Sequence, residues 1–107
     1  MTTARIKIAV LGDGGWGTAL ALTLLHNKHQ VTMWGPFPDY IRRMRETGHN
    51  ELYLPGIELP ADLRLTDDPA DALKGAAVVI LAIPTKYSRA TFARFAGLIP
   101  RQALLLS

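Results

Sequence analysis

The sequence has 107 residues, which is enough for one domain. Apolar residues make up 49% and charged residues 20%, a globular balance that excludes wholesale disorder, and the absence of cysteine excludes a disulfide scaffold and a cysteine-rich zinc module. The net charge of +3 is mildly basic and its cations are spread along the chain, so nucleic acid is not indicated as a partner.

Taken in chain order, the patterns alternate strand and helix. Residues 6–11 (Ile-Lys-Ile-Ala-Val-Leu) are a β-branched run ending at Gly12 and predict a first strand. Residues 16–29 predict a helix. Its stretch at 19–25 (Ala-Leu-Ala-Leu-Thr-Leu-Leu) is apolar on nearly every side, which predicts heavy burial. Residues 30–34 predict a second strand, closed by Gly35 and Pro36. Pro38 suits the first turn of a helix running to about Thr47, with Gly48 as its stop. Residues 49–60 carry Pro55, Gly56 and Pro60 and read as an ordered loop. Residues 63–66 alternate and predict a short third strand. Asp67 or Asp68 caps a brief helix over 69–74, ended by Gly75. Residues 76–83 form a continuous apolar run ended by Pro84, which fits a strand covered on both faces in a parallel sheet. Thr85 or Ser88 caps the next helix, where Phe92, Phe95 and Ile99 recur at helical spacing with Ala96 alongside. Residues 103–106 predict a fifth strand. No apolar run reaches the ~18 residues of a membrane span, and residues 1–5 lack the apolar region of a signal peptide.

Such alternation implies right-handed crossovers and an α/β fold, a Rossmann doubly wound parallel sheet of strand order 3-2-1-4-5. The sixth strand of that architecture is absent from the pattern. Strand five is then expected to be an open edge, with Leu98, Ile99 and residues 104–106 as apolar surface. The expectation is a marginal monomer or a homodimer that covers those faces.

Residues 12–17 (Gly-Asp-Gly-Gly-Trp-Gly) match G-x-G-x-x-G, and they follow a predicted strand and open a predicted helix. Each glycine has its own reason. Gly12 allows the tight turn, Gly14 lets the backbone approach a pyrophosphate, and Gly17 lets helix and strand pack closely. The free N–H groups of the first helical turn then bind phosphate oxygens. The bland alternative is a structural glycine turn without a ligand. His26, His29 and His49 lack metal-ligand spacing, and the first two suit the negative end of the preceding helix. Asp67, Asp68 and Asp71 read as capping groups, and Lys86, Arg89 and Arg94 as a solvated helix face.

At residues 12–21 (Gly-Asp-Gly-Gly-Trp-Gly-Thr-Ala-Leu-Ala) the sequence resembles the N-terminal signature of the NAD(P)-dependent glycerol-3-phosphate dehydrogenases. Three further stretches agree: residues 31–34 ending in Trp34, residues 50–56 (Asn-Glu-Leu-Tyr-Leu-Pro-Gly) followed by Leu59 and Pro60, and residues 82–85 (Ala-Ile-Pro-Thr). The resemblance implies that residues 1–107 are an NAD(P)-binding Rossmann domain cut short, with the helical C-terminal substrate domain absent. It implies an oxidoreductase of glycerophospholipid and carbohydrate metabolism in the cytoplasm. The family interconverts sn-glycerol 3-phosphate and dihydroxyacetone phosphate by hydride transfer with NAD(P). Its lysines for substrate and proton transfer fall past Ser107, so no catalytic residue is assigned and the 107 residues alone are expected to be inactive.

The cofactor contacts that the resemblance implies are Gly12, Gly14, Gly15, Trp16 and Gly17 in the turn, Pro36 and Phe37 past the second strand, and Tyr53 and Tyr87. For Trp16 the bland alternative is a packing residue, and for Tyr53 and Tyr87 a surface aromatic. An NAD site of this fold commonly has an acid about 20 residues past the first glycine, and an NADP site a cation. Residues 33–36 (Met-Trp-Gly-Pro) hold neither. Because relatives place Arg where Pro36 stands, NAD is expected to be preferred over NADP. Arg42 and Arg43 could restore NADP binding, or simply form a solvated helix face. Two other readings stay open: a stand-alone, non-catalytic nucleotide-binding module, and a fragment of another Rossmann dehydrogenase such as a ketopantoate reductase or a 3-hydroxyacyl-CoA dehydrogenase.

Overall fold

The computed structural model describes residues 5–106, without the side chains of Thr85, Tyr87 and Ser88. In chain order it runs β1 (Lys7–Leu11), α1 (Gly15–His26), β2 (Gln30–Trp34) and α2 (Pro38–Thr47). A hairpin of β3 (His49–Asn50) and β4 (Leu54–Glu58) follows, then β5 (Arg64–Thr66) and α3 (Pro69–Leu73). The chain continues through β6 (Val78–Leu81), α4 (Thr85–Phe95), a 3₁₀ turn (Ala96–Leu98) and β7 (Leu104–Leu106).

Five strands form one parallel sheet in the order β5-β2-β1-β6-β7, which is the predicted 3-2-1-4-5 arrangement. The two-residue side-chain period splits β1 between two cores. Ile8 and Val10 face α1 and α2 with Met33, Ile41 and Met44, while Ala9 and Leu11 face α3 and α4 with Leu73 and Phe95. Both faces are covered, as the continuous apolar runs required. In register, Leu11 lies beside Trp34 on one side and Leu81 on the other. The C-terminal ends of β1, β2 and β6 therefore meet at the point where the strand order reverses.

Local signals explain most boundaries. Pro38 stands in the first turn of α2, and Gly48 ends it in the left-handed region at φ 71°, its N–H donating to Met44. Asp68 caps α3 by accepting from the Ala70 N–H at 3.0 Å. Among the described residues no helix is long and apolar enough to cross a membrane.

Five expectations are corrected. The helix predicted over 16–29 ends at His26, and Lys28 takes a positive φ that closes it. His29 lies past the end, where its Nδ1 accepts from the Ile6 N–H at 3.4 Å. That helix is also not heavily buried. Only Gly17, Thr18 and Ala21 are fully covered, because one side alone meets the sheet and its leucines stay half-buried. The stretch read as a loop at 49–60 contains the antiparallel β3–β4 pair. Pro55 is tolerated there because a two-stranded ribbon consists of edges. The cap position of α4 falls on Pro84, with no side-chain bond, so the helix begins at Thr85; the side chains of Thr85 and Ser88 lie outside the described ones. Of the stripe on α4, Phe95 is fully buried, but Phe92 and Ala96 are exposed, and a 3₁₀ turn over Ala96–Leu98 follows the helix.

Candidate functional site

The turn between β1 and α1 is pinned at the centre of the sheet. The Gly12 N–H donates to the Trp34 carbonyl at 2.8 Å, and the Ala82 N–H donates to the Leu11 carbonyl at 2.9 Å. Gly12 has φ 137°, and a Cβ there would run into the Ala82 carbonyl. A Cβ on Gly17 would run into the Gly12 carbonyl and lie 3.2 Å from the Ala82 Cβ, so helix and strand approach as closely as backbone allows. Gly14 is different. It caps α1 in extended geometry with no side-chain bond, and a Cβ on it would meet nothing. No internal contact demands a glycine there, but an anion approaching the free N–H groups of the first helical turn does.

Around this turn lies a cleft of about 560 Å³. Gly12, Asp13, Gly14, Pro36, Phe37 and Tyr53 line one side. Ala82, Ile83 and Pro84 from the β6 end, with Thr91 and Arg94 from α4, line the other. The position is the topological switch point, where ligands of open α/β sheets bind. Gly15 lies against the hairpin backbone, since a Cβ on it would lie 2.7 Å from the Tyr53 carbonyl oxygen. Trp16 is 70% exposed, which rules out core packing within these residues. Phe37 and Tyr53 are likewise exposed, while Gly17 sits behind the turn. Tyr87 belongs to α4, but its side chain lies outside the described ones.

A buried polar network, absent from the sequence-based site, holds the hairpin to the turn. Asn50 is fully buried. Its Nδ2 donates to the Asp13 carbonyl at 2.7 Å and to Thr18 Oγ1 at 2.7 Å. Tyr40 donates its hydroxyl hydrogen to Asn50 Oδ1 and accepts from the Leu52 N–H at 3.1 Å. The Tyr40 and Tyr53 rings meet edge to face at 6.0 Å. One chain of bonds thus runs from the glycine turn through Asn50 to α2 and the hairpin, and so places Tyr53. Burial raises the Tyr40 pKa, with the nearby Asp13 charge adding to it. Asp13 itself is 8% exposed, and among the described residues its Oδ2 has no hydrogen-bond partner. Burial pushes its carboxyl up, opposed by its own backbone N–H.

A family model described as "NAD-dependent glycerol-3-phosphate dehydrogenase N-terminus" matches residues 7–107. The chain belongs to this family. It is 44% identical over 100 residues to the glycerol-3-phosphate dehydrogenase [NAD(P)+] of Bacillus velezensis, covering 94% of this chain and 29% of that protein. It is 50% identical over 87 residues to the enzyme of the same name from Geobacillus kaustophilus, covering 81% of this chain and 25% of that one. Among solved structures, the glycerol-3-phosphate dehydrogenase of Coxiella burnetii superposes with a TM-score of 0.88 at 31% identity, over 94% of this chain and 31% of that chain. The chain therefore spans about 30% of the length of these relatives.

Within this NAD(P)-dependent dehydrogenase family, the cleft's features fit a dinucleotide. The open side of Gly14 and the uncapped α1 suit phosphate, and the exposed rings of Phe37 and Tyr53 offer apolar contact. The cations distribute differently from expectation. Arg94, read as part of a solvated face, lines the cleft, because the packing of Phe95 against Trp34 turns that side of α4 inward. Arg42 and Arg43 are solvated, pairing with Asp39 at 3.1 Å and Glu51 at 3.2 Å. Asp71 pairs with Arg64 at 3.2 Å beside its place in the first turn of α3. Among the described residues no group of histidines and carboxylates could hold a metal.

Proposed function

We propose that this chain is the cofactor-binding part of an NAD(P)-dependent glycerol-3-phosphate dehydrogenase that interconverts sn-glycerol 3-phosphate and dihydroxyacetone phosphate in the cytoplasm. When bound, the dinucleotide supplies the hydride. The chain's own residues hold its phosphates at the α1 N-terminus and its adenosine end between Pro36, Phe37 and the α4 wall. Gly12, Gly14, Gly15 and Gly17 shape the turn, and Trp16, Tyr53 and Tyr87 complete the contacts. The groups that handle the substrate belong to a second, helical domain, so residues 1–107 alone are expected to bind cofactor without turnover. The observation that carries this reading is the family match over residues 7–107, which includes the glycine turn and its cleft.

NAD is the preferred cofactor in this reading. Pro36 provides neither a cation nor an N–H where a 2′-phosphate would lie, and Arg42 and Arg43 are occupied by Asp39 and Glu51. Titration of the purified protein with NADH and NADPH, followed by tryptophan-to-nicotinamide energy transfer, tests the first claim. Consumption of NADH on adding dihydroxyacetone phosphate to the full-length protein tests the activity. Tighter binding of NADPH overturns the preference, and no binding of either overturns the reading.

A further inference from the structure

The cleft contains one group whose chemistry is unspent. Asp13 is 8% exposed, lines the cleft, and has a buried Oδ2 with no hydrogen-bond partner among the described residues. An unpartnered buried carboxylate is costly, and native structures seldom keep one without a role. Its polar neighbours cannot serve it. Asn50 uses its Nδ2 on the Asp13 carbonyl and on Thr18, and Tyr40 uses its hydroxyl hydrogen on Asn50. The Thr18 hydroxyl turns to the Asp13 carbonyl and to Met33 Sδ. These side-chain donors are thus directed elsewhere, and although the backbone N–H of Asp13 serves its own carboxyl, Oδ2 is left with free acceptor capacity.

The second observation is where this carboxylate sits. Gly35 follows the last residue of β2, about 20 residues past Gly12, the place from which an NAD-type fold ordinarily projects an acid to the adenosine ribose. Gly35 has no side chain to project. A Cβ built on it would overlap Asp13 Oδ2, with Asp13 Cγ at 2.6 Å and Ile41 Cδ1 at 3.0 Å. The Asp13 carboxylate therefore fills the volume that a side chain at position 35 would enter. Gly35 is a glycine because that volume is taken.

We propose that Asp13 supplies, from the glycine turn, the ribose-binding carboxylate that this fold ordinarily carries at the end of β2. With a turn of its side chain into the cleft it accepts from the adenosine ribose 2′-hydroxyl, and its negative charge disfavours a 2′-phosphate in the same place. Asp13 is then the specificity determinant for NAD over NADP, and Gly35 is its counterpart. The raised pKa of the unliganded carboxyl agrees, since a ligand hydroxyl would replace the missing hydration.

The proposal rests on reading the cleft as a dinucleotide site, and the test separates the two. Dissociation constants for NADH, NADPH and 2′-deoxy-NADH are measured by fluorescence titration on the full-length protein and on its Asp13→Ala and Asp13→Asn variants. A hydrogen bond to a charged acceptor corresponds to about tenfold or more in affinity. The wild type is expected to hold NADH about tenfold more tightly than 2′-deoxy-NADH. Asp13→Ala is expected to lose about that factor for NADH with no loss for NADPH, and Asp13→Asn to lose less. Equal binding of NADH and 2′-deoxy-NADH by the wild type overturns the proposal without requiring any variant to fold. A parallel loss for NADH and NADPH overturns it too, marking Asp13 as a packing group only. If no cofactor binds at all, the reading of the cleft falls and the proposal falls with it.

Discussion

The two walls of the cleft are built on different principles. The wall of glycine turn, α2 and hairpin is fastened by directional bonds: Asn50 to the Asp13 carbonyl and Thr18, Tyr40 to Asn50, and the Leu52 N–H to Tyr40. The α4 wall stands on apolar packing: Phe95 is buried in the cluster of Leu11, Leu73 and Val79 and lies edge-on to Trp34 at 4.7 Å, with the Trp34 indole N–H held by the Asp67 carbonyl at 2.9 Å. Directional bonds fix a position, so they belong where backbone N–H groups must be presented to a ligand. A ring contact fixes depth and tolerates sliding, which suits a wall that only has to close on the ligand's face.

Substitutions break this comparison in graded steps. Gly12→Ala strikes both walls, since the new Cβ meets the Ala82 carbonyl at a φ of 137°. A cost of about 4 kcal/mol or more is expected, enough to abolish the cooperative urea transition and the cofactor-induced fluorescence change together. Phe95→Ala removes the foundation of the α4 wall alone. About 3–4 kcal/mol of stability should be lost, visible as a lower urea midpoint, with the hairpin network intact. Asn50→Ala strands the Thr18 hydroxyl and the Tyr40 hydroxyl on the other wall. About 2–3 kcal/mol is expected there, smaller than for Phe95, yet with the larger loss of NADH affinity. If Phe95→Ala proves the more damaging to binding, the assignment of positioning to the polar wall is wrong.

The sheet and its order were legible because local patterns carry them. β-branched runs, a continuous apolar strand and G-x-G-x-x-G between strand and helix all act over a few neighbouring residues. The hairpin was not, because Asn50 pairing with Leu54 is a matter of register, and Pro55 and Gly56 speak for a loop. Asn50 as a buried anchor was hidden for the same reason: an amide in a turn-rich stretch reads as surface, and its partners Thr18 and Asp13 lie far away in sequence. Arg94 was misjudged because the stripe on α4 leaves open which flank faces the cleft until Trp34 receives Phe95. Gly35 read as punctuation after a strand, when its smallness answers to a side chain at position 13.

The smallest expected effect is also the most informative, because its sign runs opposite to the others. Burial raises the Asp13 pKa above its ordinary 3.8 in the folded chain. The folded state then holds the proton more tightly than the unfolded state. The stability linked to this group is fully present below 3.8 and is lost as pH rises through the raised folded value. Above that value the unpartnered carboxylate therefore weakens the fold. Asp13→Ala should raise stability by about 1 kcal/mol at about pH 7, the gain being trimmed by the small space the side chain leaves. The gain should shrink as pH falls toward about 4, and urea midpoints at the two pH values measure it. A variant less stable than the wild type at neutral pH would mean that the carboxylate is satisfied in the folded chain. A more stable variant that has lost its preference for NADH would show a fold giving up stability to keep a charge where a ribose needs it.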